Sequence, residues 1–156
     1  MPTTTPPAAT SRAADAARYV LGAALVLAGT GHLTTQRAEF QAQVPPWFPA
    51  DPDLVVVVSG VVEIALGAAL LLAGRRRAAP VGVVVAGFFV AIFPGNVAQF
   101  VEHRDAFGLD SDTARFVRLW FQPLLVLWAL WSTGGWRWLV GRVRPAAAPD
   151  PGQPGL

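Results

Sequence analysis

Apolar residues in this chain come in long blocks, separated by short polar or proline-rich stretches. The clearest block runs from Leu54 to Ala73 with one charge, Glu63, inside it. At ~1.5 Å of rise per helical residue it reaches about 30 Å, the hydrocarbon thickness of a bilayer. Asp51 suits an N-cap, Pro52 the first helical position and Asp53 the positive end of the helix dipole. Gly74 and the run Arg75-Arg76-Arg77 mark the far end. Three further blocks cover about 14–33, 80–101 and 113–132. The pattern predicts an all-α fold, a four-helix transmembrane bundle. The uninterrupted centre of the first block, Tyr19 to Gly29, has the length of a signal-peptide core. No convincing Ala-x-Ala site follows, so it reads as an uncleaved helix.

The stretches between blocks carry their own signals. Residues 34–52 form a first outer loop, with a short interfacial helix expected over Thr35 to Gln43. Val44-Pro45-Pro46-Trp47-Phe48-Pro49 is barred from regular helix, because prolines lack the donor and restrict the residue before them. Trp47 and Phe48 suit a lipid interface. Pro94 interrupts the third block and frees the Val90 carbonyl. Residues 102–112 are polar and form a second outer loop. A second interfacial helix is expected over 134–143. Residues 1–13 and 144–156 read as disordered tails by composition.

Composition narrows the class. Of 156 residues, 53% are hydrophobic and 14% charged, against about 25% charged in soluble domains. All basic residues are arginine, and the richness in Ala, Val, Gly, Pro and Arg suggests a GC-rich bacterial genome. Arg12, Arg18, Arg75 to Arg77, Arg137, Arg142 and Arg144 would lie on one side of the membrane. Arg37, Arg104, Arg115 and Arg118 would lie on the other. The excess puts both termini in the cytoplasm and the chain in a bacterial cytoplasmic membrane as a multi-pass protein. The net charge of +2 is scattered around apolar spans, which argues against nucleic acid as a partner and for the lipid bilayer. With no cysteine, disulfides, thiolate metal sites and thiol chemistry are excluded. His32 and His103 alone make a multi-histidine metal site a poor expectation.

Glu63 is the first candidate for chemistry. A carboxylate near the middle of a bilayer costs ~3 kcal/mol or more unless it is paired or protonated. Gly60, Glu63, Gly67 and Gly74 fall near one face of their helix, and Gly22, Gly29 and His32 near one face of the first. Glycines so placed let helices approach closely. Asn96, Gln99 and His103 share a stripe, as do Arg115, Arg118 and Gln122. The ligand-binding candidates are Glu63, Arg118, Gln122, Asn96, Gln99 and His32, in the outer half of the membrane, with Pro45, Pro46 and Trp47 in the loop above. Each has a structural alternative. Glu63 and Arg118 would pair to hold helices together, Asn96 and Gln99 would satisfy the backbone freed by Pro94, and His32 would be a hydrogen-bonded interfacial histidine.

In order along the chain stand Gly31-His32-Leu33, Val44-Pro45-Pro46-Trp47-Phe48-Pro49, Ser59-Gly60-Val61-Val62-Glu63-Ile64, Phe93-Pro94-Gly95-Asn96 and Arg118-Leu119-Trp120-Phe121-Gln122. This ordered set resembles the DoxX-like family of small bacterial membrane proteins, over about Tyr19 to Trp131. Leu33 departs from the phenylalanine that often follows the histidine in that family. The resemblance implies a four-helix membrane bundle and an association with quinone or with a redox partner protein; no redox-cofactor motif is present. The leading functional expectation is a non-catalytic accessory subunit, or a binder of a quinone or lipid. The alternatives are a component of a membrane oxidoreductase or other intramembrane enzyme using Glu63 as acid and base, and a structural or transport protein. Ligand, partner and oligomeric state do not follow from the sequence.

Overall fold

The computed structural model describes residues 11–143, and every regular element in that range is helical. Of the two expected tails, residues 1–10 and 144–156 lie outside the described residues. Residues 12 and 13 are helical. Ser11 caps α1 (Arg12–Leu33), its hydroxyl accepting from the Ala14 N–H at 3.1 Å. A five-residue helix, α2 (Arg37–Gln41), follows; it is shorter than the expected Thr35–Gln43. The prolines after it hold a turn, closed by the Phe48 N–H on the Pro45 carbonyl. Next comes α3 (Pro52–Leu72). Asp51 caps it by accepting from the Leu54 N–H at 3.0 Å, and Pro52 starts it.

The next helix, α4 (Arg75–Val101), begins five residues before the expected span. The three arginines form its first turn instead of an inner loop, leaving only Ala73 and Gly74 between α3 and α4. Arginine is a good helix former, and Gly74, in an extended conformation, caps the start. Then come α5 (Asp112–Thr133) and, past the left-handed Gly134, α6 (Gly135–Val143). The helices α1, α3 and α4 are long and apolar enough to cross a membrane.

Two antiparallel pairs build the molecule, α1 with α3 and α4 with α5. Glycines set the first. A Cβ on Gly67 would lie 2.6 Å from the Gly22 carbonyl oxygen, and one on Gly29 would lie 2.5 Å from that of Gly60. The backbones therefore touch at two levels. Gly74 is not part of this face: among the described residues, none comes within 4 Å of a Cβ placed there. In the second pair Gly82 admits Thr133, whose hydroxyl oxygen would lie 1.8 Å from a Cβ at that position. Arg18, buried on α1, donates to the carbonyls of Leu70 (2.8 Å) and Ala73 (2.7 Å) and so closes the last turn of α3.

The apolar core sits toward the end that carries the arginine triplet. It consists of Leu21, Leu25, Leu70, Val85, Ala86, Phe89, Ala129 and Leu130. Toward the other end, where residues 34–51 and 102–111 lie, α3 packs only sparsely against α4. The space left there is a cavity.

Candidate functional site

The cavity has a volume of about 500 Å³ and is walled by α1, α3, α4, α5 and the loop after α2. Most of its wall is apolar, from Leu21, Leu25, Val56, Phe89, Ile92 and Leu125 among others. Of the residues singled out above, Glu63, Arg118, Gln122, Asn96, His32, Pro45 and Trp47 all line it. Gln99 and Pro46 do not.

One polar wall comes from the close pair α1 and α3. The Gly29–Gly60 contact sets His32 beside Glu63, with Nε2 and Oε2 3.6 Å apart. His32 Nδ1 lies 2.9 Å from the Ser59 hydroxyl and 3.3 Å from the Val56 carbonyl. This replaces the expected pairing of Glu63 with Arg118. Among the described residues no contact ion pair joins those two. Arg118 comes from α5, across the cavity, and acts on Glu63 through space.

The opposite wall comes from α4 and α5. Asn96 donates to the Gln122 side-chain oxygen at 2.9 Å, and Gln122 donates to the Phe89 carbonyl at 2.6 Å. The carbonyl that Gln122 serves from the neighbouring helix is that of Phe89, one residue before the Val90 carbonyl that Pro94 frees. Asn96 orients that glutamine. The expectation that Asn96 and Gln99 would satisfy the backbone freed by Pro94 is corrected: Asn96 bonds Gln122, and Gln99 bonds Gln43 and the Arg104 carbonyl. An asparagine two residues beyond the proline faces across to α5, not back along its own helix.

Gln99 belongs to the roof. It accepts from Gln43 Nε2 at 3.1 Å and donates to the Arg104 carbonyl at 3.5 Å. Arg104 donates to the carbonyls of Ala42 (3.3 Å) and Val44 (3.0 Å), so the second loop grips the first. Gly95 makes room for this, because a Cβ there would lie 2.7 Å from the Gln43 carbonyl oxygen. The Phe107 N–H donates to Glu39 at 2.6 Å. Phe40 packs between the rings of His32 (3.5 Å) and Phe107 (4.6 Å), closing the cavity from above. Arg37 and Gln41 hold the start of α3 through Asp53. Arg115, on the same stripe as Arg118, points away from the cavity. It ties Asp105, Asp112 and the Arg104 carbonyl at the loop end. His103 joins this cluster through Asp112 at 2.7 Å.

Sequence reasoning passed over Ser59, Phe40 and Gln43. Ser59 had a signal, since it stands four residues before Glu63 and shares its helical face. Phe40 and Gln43 had none, because their positions depend on how the loop folds over α4. Among the described residues no group of three or more metal-ligating side chains occurs.

Fold and cavity define a class: an all-helical protein with three helices able to cross a membrane and an apolar cavity bearing polar groups near one end. Within that class, the chain belongs to the family described as a domain of unknown function, DUF8561, whose model matches residues 21–133. The match contains every residue of the cavity. No curated protein and no solved structure matches the chain.

Proposed function

We propose that this protein is a DoxX-like four-helix transmembrane bundle of the bacterial cytoplasmic membrane, with both termini cytoplasmic. Its cavity binds the polar head of an apolar-tailed molecule, a quinone or a lipid, and the protein serves as a binding or accessory subunit. The observation that carries this reading is the cavity itself. About 500 Å³ is the size of a small-molecule site, and an apolar wall with a few converging polar groups is its usual chemistry.

Two features support the membrane part. Large apolar side chains are exposed on every long helix, including Leu27, Leu72, Val90 and Leu127. Such a belt is abnormal in water and ordinary against lipid. The fourth span is α5, at 22 residues as long as α1. Its two arginines lower its hydropathy, but Arg115 is paired at the loop end and Arg118 faces the cavity, while Phe121, Leu124 and Leu127 are exposed. Trp47 and Phe48, also exposed, stand by the cavity at the level of the polar loops, where aromatic residues meet headgroups.

The test is mass spectrometry of what copurifies in mild detergent, comparing the wild type with Ala28→Trp, which fills the cavity from the α1 wall. A quinone or a defined lipid retained by the wild type and lost from Ala28→Trp supports the reading. Identical copurifying molecules in both remove its basis.

A further inference from the structure

The contact between His32 and Glu63 narrows the chemistry of the head group, on the reading that the cavity holds one. The Val56 carbonyl, 3.3 Å from His32 Nδ1, can only accept. The Ser59 hydroxyl, 2.9 Å from the same nitrogen, is also within donating distance of that carbonyl, at 3.0 Å. With the Ser59 hydroxyl proton on that carbonyl, Nδ1 carries the ring proton; with it turned onto Nδ1, the ring proton moves to Nε2 and the pair with Glu63 holds one proton. In the first tautomer of the neutral ring Nε2 is a bare lone pair. It faces Glu63 Oε2 at 3.6 Å, beyond hydrogen-bonding distance. Both atoms are fully buried and without a hydrogen-bond partner, and both residues are only 6% exposed. In that tautomer two acceptors look at one another beside an apolar cavity, and among the described residues nothing donates to either.

We propose that this pair recognises a hydroxyl group. The cavity then selects the hydroxyl-bearing form of an amphiphile over the carbonyl-bearing form: a hydroquinone, or a glycerol-headed lipid, over a quinone. When the pair holds no proton it offers two acceptors. A hydroxyl donates to one of them, whereas a carbonyl meets only lone pairs. When the pair shares one proton it offers a donor and an acceptor. A hydroxyl matches both at once, and a carbonyl matches the donor alone. The hydroxyl wins in either state. A primary ammonium would also donate, but Arg118 lines the same cavity, and its charge opposes a second cation. Burial sharpens the choice, because an unmet polar group is costliest where water is excluded.

The test is calorimetric titration of the full-length protein in detergent micelles, without oxygen, with three probes: decylubiquinol, decylubiquinone and monoolein. The wild type should bind decylubiquinol about tenfold or more tightly than decylubiquinone. In Glu63→Gln, whose amide can donate to a carbonyl, the ratio should fall to roughly threefold or less. Equal binding of quinol and quinone by the wild type overturns the inference while leaving the cavity's role intact. Failure of all three probes to bind overturns the reading on which it rests. Monoolein binding more tightly than decylubiquinol keeps the hydroxyl rule and assigns the head group to a glycerolipid. If Glu63→Gln does not fold, the wild-type ratio alone decides.

Discussion

Asn96, two residues past Pro94 on α4, and Gln122 on α5 form one buried network between the two helices. Gln122 gives its amide to Phe89, and Asn96 fixes Gln122. Asn96→Ala leaves the Gln122 oxygen buried without a donor, so it should cost about 1–3 kcal/mol in a denaturant titration of the detergent-solubilised protein. Gln122→Ala should cost a similar amount. Because both belong to one network, the double variant should fall short of the sum by roughly 1 kcal/mol. Full additivity would mean that the two side chains act separately. Glu63 and His32 are the residues whose type was easiest to single out in the sequence, since a charge inside an apolar block needs a reason. Their partnership was not legible. Glu63 was matched to Arg118 by charge, but the glycine contacts of α1 and α3 bring His32 to it first.

Helix geometry explains which features could be read from the sequence and which could not. The start of α3 was legible because Asp51-Pro52-Asp53 is local chemistry, settled within one turn. The start of α4 was not, because a run of arginines signals topology and helix propensity alike. Glycine periodicity pointed to the faces of α1 and α3, yet only contact with a partner separates Gly60 and Gly67 from Gly74. Gly67→Val should therefore drive α1 and α3 apart and lower the melting temperature by several degrees or prevent folding, since its Cβ would meet the Gly22 backbone. Gly87→Ala, in open space on α4, should leave the melting temperature unchanged or raise it. Equal losses in the two variants would contradict the packing described. Arg18 supplies a further check. Arg18→Met removes both hydrogen bonds to the end of α3 and should cost about 1–3 kcal/mol in the same titration.

Across the whole molecule, one end is packed solid and the other is hollow. The core lies toward the arginine triplet, and the cavity lies beneath two loops that bind one another through Arg104, Gln99 and Glu39. Long apolar blocks made the helices foreseeable, whereas the roof depends on contacts between residues some sixty positions apart, such as Arg104 with Val44, which no local pattern encodes. The proposed topology is open to direct measurement, because the chain has no cysteine of its own. Asp110→Cys should react with a membrane-impermeant maleimide in intact cells, and Arg76→Cys only after permeabilisation. The reverse pattern would invert the orientation. Central to the account is the claim that an apolar-tailed molecule sits inside the cavity, between α3 and α4. Photolabelling tests this most directly. A diazirine-bearing decyl hydroquinone would be irradiated with the purified protein, and the labelled peptides mapped by mass spectrometry. Adducts should concentrate in 55–63 and 89–96 and be suppressed by excess unlabelled hydroquinone. Adducts spread over the exposed belt of α5, around Trp120 to Trp131, and insensitive to competition would contradict it.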